Sequence, residues 1–209
     1  NGVELVIPRL IRVVKVEYNS ASSFSYITDL PGDRELLDII YSSFDMEAEQ
    51  GRWLKPGDKN KVLVGNDIAK GRPFDKEIRV GTKLNINGES FEVVGVLKKS
   101  SSFQINWAYL MMSDDLQRIL DIKNEWDMIV AQVRNKNKIE DVAKDIESKL
   151  RRDRNEKIGE ETFSVQTPLQ ALSAVNTVLN IINIIVISIA MISLFVGGVG
   201  ITNTMYTSV

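Results

Sequence analysis

Three aspartates in the middle of the chain come nearest to a metal-binding or catalytic cluster. Asp114 and Asp115 are adjacent, and Asp121 follows within two helical turns. Carboxylates at this spacing could hold a divalent cation, because such cations prefer oxygen ligands. The adjacent pair equally suits the first turn of a helix, where negative charge stabilises the unpaired N–H groups. We favour the helix interpretation and predict no metal site in this chain.

The most common reactive side chains are missing. The sequence has no histidine and no cysteine. These absences exclude histidine-dependent triads, histidine-ligated zinc, thiolate metal sites and disulfides. The phosphate-binding pattern GxxxxGK[ST] is also missing, which excludes ATP hydrolysis by the P-loop route. We therefore expect the chain to be no enzyme and to hold no catalytic, metal-binding or cofactor-binding residue, although chemistry based on carboxylates alone stays open.

The charged residues are distributed very unevenly. The 209 residues include 26 basic and 28 acidic side chains, and the net charge of −2 argues against nucleic acid as a partner. All of these charges lie at or before Glu161, and residues 162–209 carry none. The chain therefore joins a charged part, typical of a water-exposed domain, to an uncharged tail.

The uncharged tail contains a segment long enough to cross a lipid bilayer. Residues 178–201 read VLNIINIIVISIAMISLFVGGVGI. A helix of this length extends roughly 36 Å, against about 30 Å for the hydrocarbon core. A buried helix of a soluble domain normally keeps a charged face, and this segment has none. We predict a stalk and transmembrane helix over residues 168–209, with Pro168 in the first helical turn.

Polar and small residues mark two faces of this predicted helix. Asn180 and Asn183 are three residues apart and share a face, and their amides need hydrogen-bonding partners in hydrocarbon. A second stripe consists of small residues that let helix backbones approach closely: Ser193, Gly197, Gly200 and Thr204. The alternative is that such residues are simply common in membrane helices. We predict that the helix packs in a bundle rather than acting as a lone anchor.

The charged part alternates between strand-like and helix-like patterns. Strands are predicted over residues 5–8, 11–18, 22–28, 51–54, 61–64, 108–112, 128–134 and 163–166. The clearest signal is a hairpin within residues 80–98, because Asn87-Gly88 suits a type I′ turn. Helices are predicted after Asp33, after Ser113 as an N-cap, over 66–70 with Asn66 as its cap, and over 139–150.

This order of elements indicates an α+β fold, a mixed α/β domain with a small β-rich insert followed by a long transmembrane helix. We assign residues 1–167 to the domain. Within it, residues 1–45 and 122–167 form a membrane-proximal α/β part, and residues 46–121 form the insert.

One exposed aromatic residue is a candidate for contact with a partner. Core packing is the default for aromatic side chains, and it is the expectation for Trp53, Phe74 and Trp107. Phe103 is the exception, since it lies in the serine-rich loop 99–106, the segment that we expect to be most mobile. We predict that Phe103 contacts a partner molecule.

Several segments follow one another in an order shared with a family of membrane proteins. QGRWL at residues 50–54 is similar to the family stretch EGRxF, and VLVGNDIA at residues 62–69 is similar to AVLGSDLA. Residues 80–97 are similar to VGKTIRINGxxFTVIGVL.

Three further segments continue the match towards the end of the chain. Residues 139–152 resemble the closing helix VAxxIxxLLRR, residues 163–168 resemble FSVQTP, and residues 192–209 resemble the start of a multi-helix permease block. No one segment is specific, but their order and spacing together resemble the MacB/FtsX-type permeases of ABC transporters.

The resemblance implies a membrane protein with residues 1 to about 170 outside the cytoplasm. Such permeases act as dimers, so the expected partners include a second copy or a related permease, besides membrane lipid. They use a separate or fused ABC ATPase, so that ATP is bound there and not in this chain. An extracytoplasmic adaptor or substrate protein is a further expected partner.

The resemblance also implies a function. ATP-driven closure in the cytoplasm moves the long helices, and these do work on substrates outside, in export, lipoprotein release or hydrolase control. The family normally has one membrane helix before this domain, two after this helix, and a basic cytoplasmic stretch, none of which lies within residues 1–209. Contact with the ATPase is therefore assigned to no residue. The alternative hypothesis is a membrane-anchored binding or sensor module without a linked ATPase.

Overall fold

The computed structural model describes residues 2–43, 46–123 and 125–208. The chain divides into two compact units, a head unit of residues 5–132 and a helical unit of residues 1–4 and 133–209. A short 3-10 helix, Lys136–Lys138, precedes α5. The other elements are, in chain order, β1 (Val3–Arg9), β2 (Ile11–Tyr18), β3 (Ala21–Leu30), α1 (Arg34–Ser43), β4 (Ala48–Gly51), β5 (Lys61–Val64), α2 (Asn66–Ala69), β6 (Lys83–Ile86), β7 (Glu89–Leu97), α3 (Phe103–Asn106), β8 (Tyr109–Met112), α4 (Ser113–Leu120), β9 (Met128–Val133), α5 (Ile139–Asp153) and α6 (Pro168–Thr207).

Six strands of the head unit close into a ring. They follow the order β7–β5–β8–β3–β2–β6, and β6 pairs again with β7. Strand β4 adds to β7, while β1 and β9 form a separate two-stranded sheet. The pairs β3–β8 and β5–β7 are parallel, and the other pairs of the ring are antiparallel. A closed ring has no unpaired edge on which another strand could add.

Side chains of the ring alternate between two buried clusters, because successive residues of a strand point to opposite faces. On β5, Val62 and Val64 belong to the larger cluster and Leu63 to the smaller. Helix α1 covers the smaller cluster with Leu37 and Ile40. The carboxylate of Asp33 accepts hydrogen bonds from the backbone N–H groups of Glu35 and Leu36, so it caps α1 as predicted.

A buried ion pair between Arg9 and Asp29 connects the end of β1 to β3. Asp29 is fully buried, and its Oδ1 accepts hydrogen bonds from Arg9 Nε at 3.0 Å and from the Leu10 amide at 2.8 Å. Its Oδ2 accepts a hydrogen bond from the hydroxyl of Ser113 at 2.6 Å. Both carboxylate oxygens of Asp29 therefore accept hydrogen bonds, as a buried charge requires. The sequence analysis missed this cluster, because its members are distant along the chain.

The ring is larger than the predicted insert of residues 46–121. Strands β2 and β3, which were assigned to the membrane-proximal part, lie in the ring between β8 and β6. The reason is their apolar alternation, since Val14, Val16 and Ile27 are buried in the larger cluster. The predicted hairpin is confirmed, with Asn87 and Gly88 at φ of 50° and 92° between β6 and β7.

Two predicted helix caps are wrong. The N-cap of α4 is Met112, and the Ser113 hydroxyl donates instead to Asp29 and to the carbonyl of Leu30. The N-cap of α2 is Gly65, and the Asn66 amide donates to Glu49 at 2.7 Å. In both places a tertiary acceptor competes for the polar group that the local pattern assigned to a cap.

Two predicted strands are also different. Strand β4 covers Ala48–Gly51, whereas residues 52–54 lie outside it and the Arg52 guanidinium binds both carboxylate oxygens of Asp58. Residues 163–166 are irregular, and the guanidinium of Arg154 lies 5.5 Å from the ring centre of Phe163. Side-chain contacts therefore replace strand pairing in these two segments.

Candidate coupling junction and membrane helix

The first turn of α6 is closed by a reciprocal capping box. Thr167 Oγ1 accepts a hydrogen bond from the Gln170 amide at 3.2 Å, and Gln170 Oε1 accepts one from the Thr167 amide at 3.0 Å. Pro168 occupies the first helical position, where its missing N–H costs nothing. The capping box fixes where the long helix begins and the direction from which the chain enters it.

A carboxylate from α5 binds this capping box from the side. The Thr167 hydroxyl donates to Glu140 Oε1 at 2.6 Å, and Gln170 Nε2 lies 3.5 Å from Glu140 Oε2. Thr167 is only 3 % exposed and Glu140 is half-buried, so the hydrogen bond between them is partly shielded from water. The negative charge also lies at the N-terminus of α6, where the helix dipole favours it. We call the set of Glu140, Thr167 and Gln170 the coupling junction.

The connector between α5 and α6, residues 154–167, is tied to the end of α5. Arg151 Nε donates to Glu161 Oε1 at 2.6 Å, and the same guanidinium also binds Glu147. Glu156 accepts hydrogen bonds from the hydroxyl and the amide of Thr162, which lower the pKa of Glu156. Contacts at both ends of the connector therefore join α5 and α6 within the helical unit.

Helix α6 has the length and composition of a membrane span. It runs unbroken for 40 residues, and its most apolar stretch of 18 residues has a mean hydropathy of 2.6. In the part of the chain that the structure describes, α6 alone is long and apolar enough to cross a bilayer. A straight helix of this length extends about 60 Å, roughly twice the hydrocarbon thickness of about 30 Å.

The six residues predicted for helix packing all lie on α6, and all are exposed: Asn180, Asn183, Ser193, Gly197, Gly200 and Thr204. The hydroxyls of Ser193 and Thr204 donate to the carbonyls of Ile189 and Gly200, both at 2.9 Å. Those hydroxyls therefore need no partner from another helix. At Gly197 and Gly200 no atom lies within 4 Å of where a Cβ would stand, so a neighbour has room there.

Phe103 is exposed on the head unit, as predicted for a contact residue. Its side chain is 70 % exposed, and its ring lies 5.8 Å from that of Trp107. Residues 103–106 of the predicted loop form the short helix α3. Asn106 ties this helix to the preceding residues, because its side chain donates to the carbonyl of Ser100 and accepts from the Ser100 amide, both at 2.8 Å. Partner contact at Phe103 stays a prediction.

The three aspartates considered as a cation site belong to α4 and its end, and Asp114 lies in the first turn, as predicted. Asp115 is buried, accepts the Asn60 amide at 2.7 Å and pairs with Arg118 at 2.8 Å. Asp121 ends α4 with a left-handed backbone. Within residues 2–43, 46–123 and 125–208, no group of three or more acidic residues could hold a metal ion.

The coupling junction was missed by the sequence analysis. The spacing of Thr167 and Gln170 is itself a capping-box signal that could have located the helix start. No local pattern indicates Glu140, since it lies on another helix.

Comparisons with known proteins agree with the architecture. Residues 1–149 match the family described as the MacB-like periplasmic core domain. The chain is 33 % identical over 209 residues to the uncharacterized ABC transporter permease MJ1507 of Methanocaldococcus jannaschii, covering all of this chain and 50 % of that protein. It is 29 % identical over 172 residues to the uncharacterized ABC transporter permease YknZ of Bacillus subtilis, covering 78 % of this chain and 42 % of that protein. The chain thus spans about half the length of these relatives.

Two solved structures share the fold. The extracellular domain of the noncanonic ABC-type transporter YknZ from Gram-positive bacteria aligns with a TM-score of 0.57 and 17 % identity, covering 75 % of this chain and 79 % of that one. The periplasmic region of MacB from Actinobacillus actinomycetemcomitans aligns with a TM-score of 0.55 and 15 % identity, covering 74 % and 69 %. The chain is therefore part of a membrane protein with an extracytoplasmic domain, and it belongs to the MacB-like family of ABC transporter permeases.

Proposed function

We propose that this chain transmits conformational work from an ATP-hydrolysing subunit or domain in the cytoplasm to the extracytoplasmic side of the membrane. The coupling junction is the observation that carries the proposal. Helix α6 extends from the membrane to Thr167, where Glu140 binds its capping box. A displacement of α6 would therefore be passed to α5 through the short, partly buried hydrogen bond between Thr167 and Glu140.

The proposal assigns no chemical step to this chain. ATP is hydrolysed in a partner ABC ATPase, and the sequence supports this division because it has no P-loop, histidine or cysteine. The permease works as a dimer, either with a second copy or with a related chain. Phe103 is the candidate contact for a protein outside the cell, such as an adaptor or a substrate. Export, lipoprotein release and hydrolase control are all consistent with this scheme.

The test measures whether ATP moves α5. The chain is free of cysteine, so a spin label can be placed at Lys144→Cys, an exposed position of α5, in full-length permease reconstituted with its ATPase and lacking other cysteines. We expect the distance between the two labels of the dimer to change by several ångströms when ATP is trapped. An unchanged distance would count against the proposal and favour a binding or sensor module without a linked ATPase.

The coupling junction is tested with matched variants. Glu140→Leu removes both acceptor oxygens, so we expect ATP hydrolysis to continue while the label distance no longer responds. Glu140→Gln keeps one acceptor for the Thr167 hydroxyl, so we expect most of the response to return. If Glu140→Leu responds like the wild type, the coupling junction does not transmit the motion.

A further inference from the structure

The turn between β6 and β7 consists of Asn87 and Gly88, a pair of residues that can modify itself. When such a pair is free to move, the backbone nitrogen of the glycine attacks the side-chain carbonyl carbon of the asparagine. A C–N bond forms and the side-chain amide leaves as ammonia. Water then opens the resulting succinimide ring to give aspartate or isoaspartate. Glycine favours the reaction because it has no side chain to shield its nitrogen.

Two hydrogen bonds hold the reacting groups of this turn apart. Asn87 Nδ2 donates to the carbonyl of Ile119 on α4 at 2.6 Å, and the Gly88 amide donates to Asn85 Oδ1 at 2.9 Å. The first bond ties the side-chain amide to α4, so that it does not turn freely towards the glycine nitrogen. The second bond holds the proton that this nitrogen must lose before it attacks. The folded turn therefore opposes both requirements of the reaction.

The backbone of the turn is fixed by the ring around it. Asn87 and Gly88 have φ of 50° and 92°, as a type I′ turn requires. The Asn87 amide donates to the carbonyl of Lys15 on β2 at 2.8 Å. Strand β6 pairs with both β2 and β7, so the turn lies where these strands close the ring. The pair is therefore held in place only while β2, the hairpin and α4 stay together.

The products of the reaction cannot restore these contacts. A carboxylate has no N–H group, so an aspartate at position 87 cannot donate to the carbonyl of Ile119. It would place a negative charge at the C-terminal end of α4, where the helix dipole disfavours it. Isoaspartate also adds a carbon atom to the main chain within a tight turn. A modified hairpin should therefore close the ring less firmly than the original one.

We propose that Asn87-Gly88 is a deamidation site that the closed ring protects, that opening of the β6–β7 hairpin exposes, and whose product weakens closure of the ring. Native proteins open locally, and such opening would release the turn. Solvent base takes the proton of the glycine nitrogen and water opens the succinimide, so no other protein takes part. Refolding does not reverse the reaction, so the modified residue marks copies of the chain whose ring has opened. The inference concerns the head unit alone and does not depend on the proposed function.

The first experiment compares full-length permease in detergent with the synthetic peptide of residues 84–98, the tryptic fragment that contains the turn. Both are incubated at mildly alkaline pH, the permease is digested, and mass spectrometry measures deamidation at Asn87. We expect Asn87 of the folded permease to react many-fold more slowly than Asn87 of the peptide, and urea that unfolds the head unit to remove this difference. Equal rates in the folded permease and the peptide would overturn the proposal.

Variants of Asn85 test the hydrogen bond to the glycine amide. Asn85→Ala removes the acceptor, so we expect Asn87 to deamidate several-fold faster than in the wild type. Asn85→Asp keeps an acceptor oxygen and should restore most of the protection. Ser90→Ala is the control, because Ser90 is the partner of Asn85 across the hairpin and is exposed. If Asn85→Ala and Asn85→Asp react equally fast, or if Ser90→Ala accelerates the reaction as much, Asn85 does not protect the site.

The effect of the modification on the ring is measured with Asn87→Asp, which carries the side chain of one product. We expect the backbone amides of β6 and β7 to exchange with deuterium several-fold faster in this variant than in the wild type, because the bond to Ile119 is lost. Asn155→Asp is the matched control, since Asn155 is also exposed and has a similar left-handed backbone with φ of 53°. Equal exchange in Asn87→Asp and the wild type would contradict a weakened ring.

Discussion

At the scale of single residues, two carboxylates connect segments that are distant along the chain. Asp29 connects Arg9 to Ser113 in the head unit, and Glu140 connects α5 to the start of α6 in the helical unit. Asp29 accepts hydrogen bonds from two different segments, and Glu140 accepts its hydrogen bonds from the capping box of another helix. A charge placed in this way favours one arrangement of the segments, since a shifted segment would leave it without donors.

The bidentate pair of Arg52 and Asp58 predicts a pH-dependent stability. The hydrogen bonds from Arg52 lower the pKa of Asp58 below its ordinary value of 3.8, so the unfolded chain binds the proton more tightly than the folded one. The resulting stability is present above pH 3.8 and is lost as the pH falls through the lower pKa of the folded state. Because Arg52 is partly exposed, we expect Asp58→Asn to lower the free energy of unfolding by about 1 kcal/mol at pH 7.

Urea unfolding of detergent-solubilised permease, followed by tryptophan fluorescence, measures this effect. The difference between Asp58→Asn and the wild type should disappear under acidic conditions, where the wild-type carboxylate is also protonated. Asp38→Asn, on the exposed face of α1, is the control and should change little at either pH. A difference that stays constant with pH would mean that Asp58 acts through packing rather than through its charge.

At the scale of elements, close approach of strands in the ring depends on glycine. A Cβ added at Gly95 would lie 2.4 Å from the carbonyl oxygen of Arg52 and 2.8 Å from Leu63 Cδ2. Backbone atoms cannot move aside as a flexible side chain can, so we expect Gly95→Ala to lower the free energy of unfolding by about 3 kcal/mol. The same urea unfolding experiment tests this expectation.

Gly32 provides the matched control for this substitution. No atom lies within 4 Å of a Cβ built there, and its backbone is not left-handed. Gly32→Ala should therefore leave stability within about 0.5 kcal/mol of the wild type. Equal losses in the two variants would argue against a close approach at Gly95.

Local patterns were enough to predict many elements but not their arrangement. The β6–β7 hairpin follows from Asn87-Gly88, and α5 and α6 follow from apolar periodicity and length. The closure of the ring could not be predicted, because it depends on the parallel pairing of β3 with β8. Pairing between strands that are distant along the chain produces no local pattern in either segment. Glu140 was missed for the same physical reason, whereas its partner Thr167 belongs to a capping box that the sequence contains.

At the scale of the whole molecule, the two glycines in the stripe of small residues on α6, Gly197 and Gly200, predict an effect on ATP-dependent coupling without an effect on the folding of the head unit. We expect Gly197→Leu with Gly200→Leu to abolish the ATP-dependent distance change reported by the label at Lys144→Cys. Both glycines are remote from the head unit in sequence and touch nothing beyond their own helix, so the head unit should keep its fold. Bulky side chains would instead hold neighbouring membrane helices apart.

Val199→Leu is the control for the glycine variants, since it enlarges a neighbouring residue outside the stripe of small residues. Tryptophan fluorescence and resistance to protease would report the fold of the head unit in each variant. A normal distance change in the double glycine variant would show that close packing along this face is not required.

The parallel pairing of β3 with β8 has a consequence for how the protein is made. Ile27 has Tyr109 as its partner, so the ring cannot close until nearly all of the head unit has been synthesised and exported. Until then β3, with the exposed aromatic rings of Phe24 and Tyr26, lacks one of its neighbours and can associate wrongly with other chains. Because α6 follows all nine strands of the described residues in the chain, its entry into the bilayer comes after those strands have emerged. Correct folding of the protein therefore requires that the incomplete ring does not aggregate at the membrane surface before β8 has emerged.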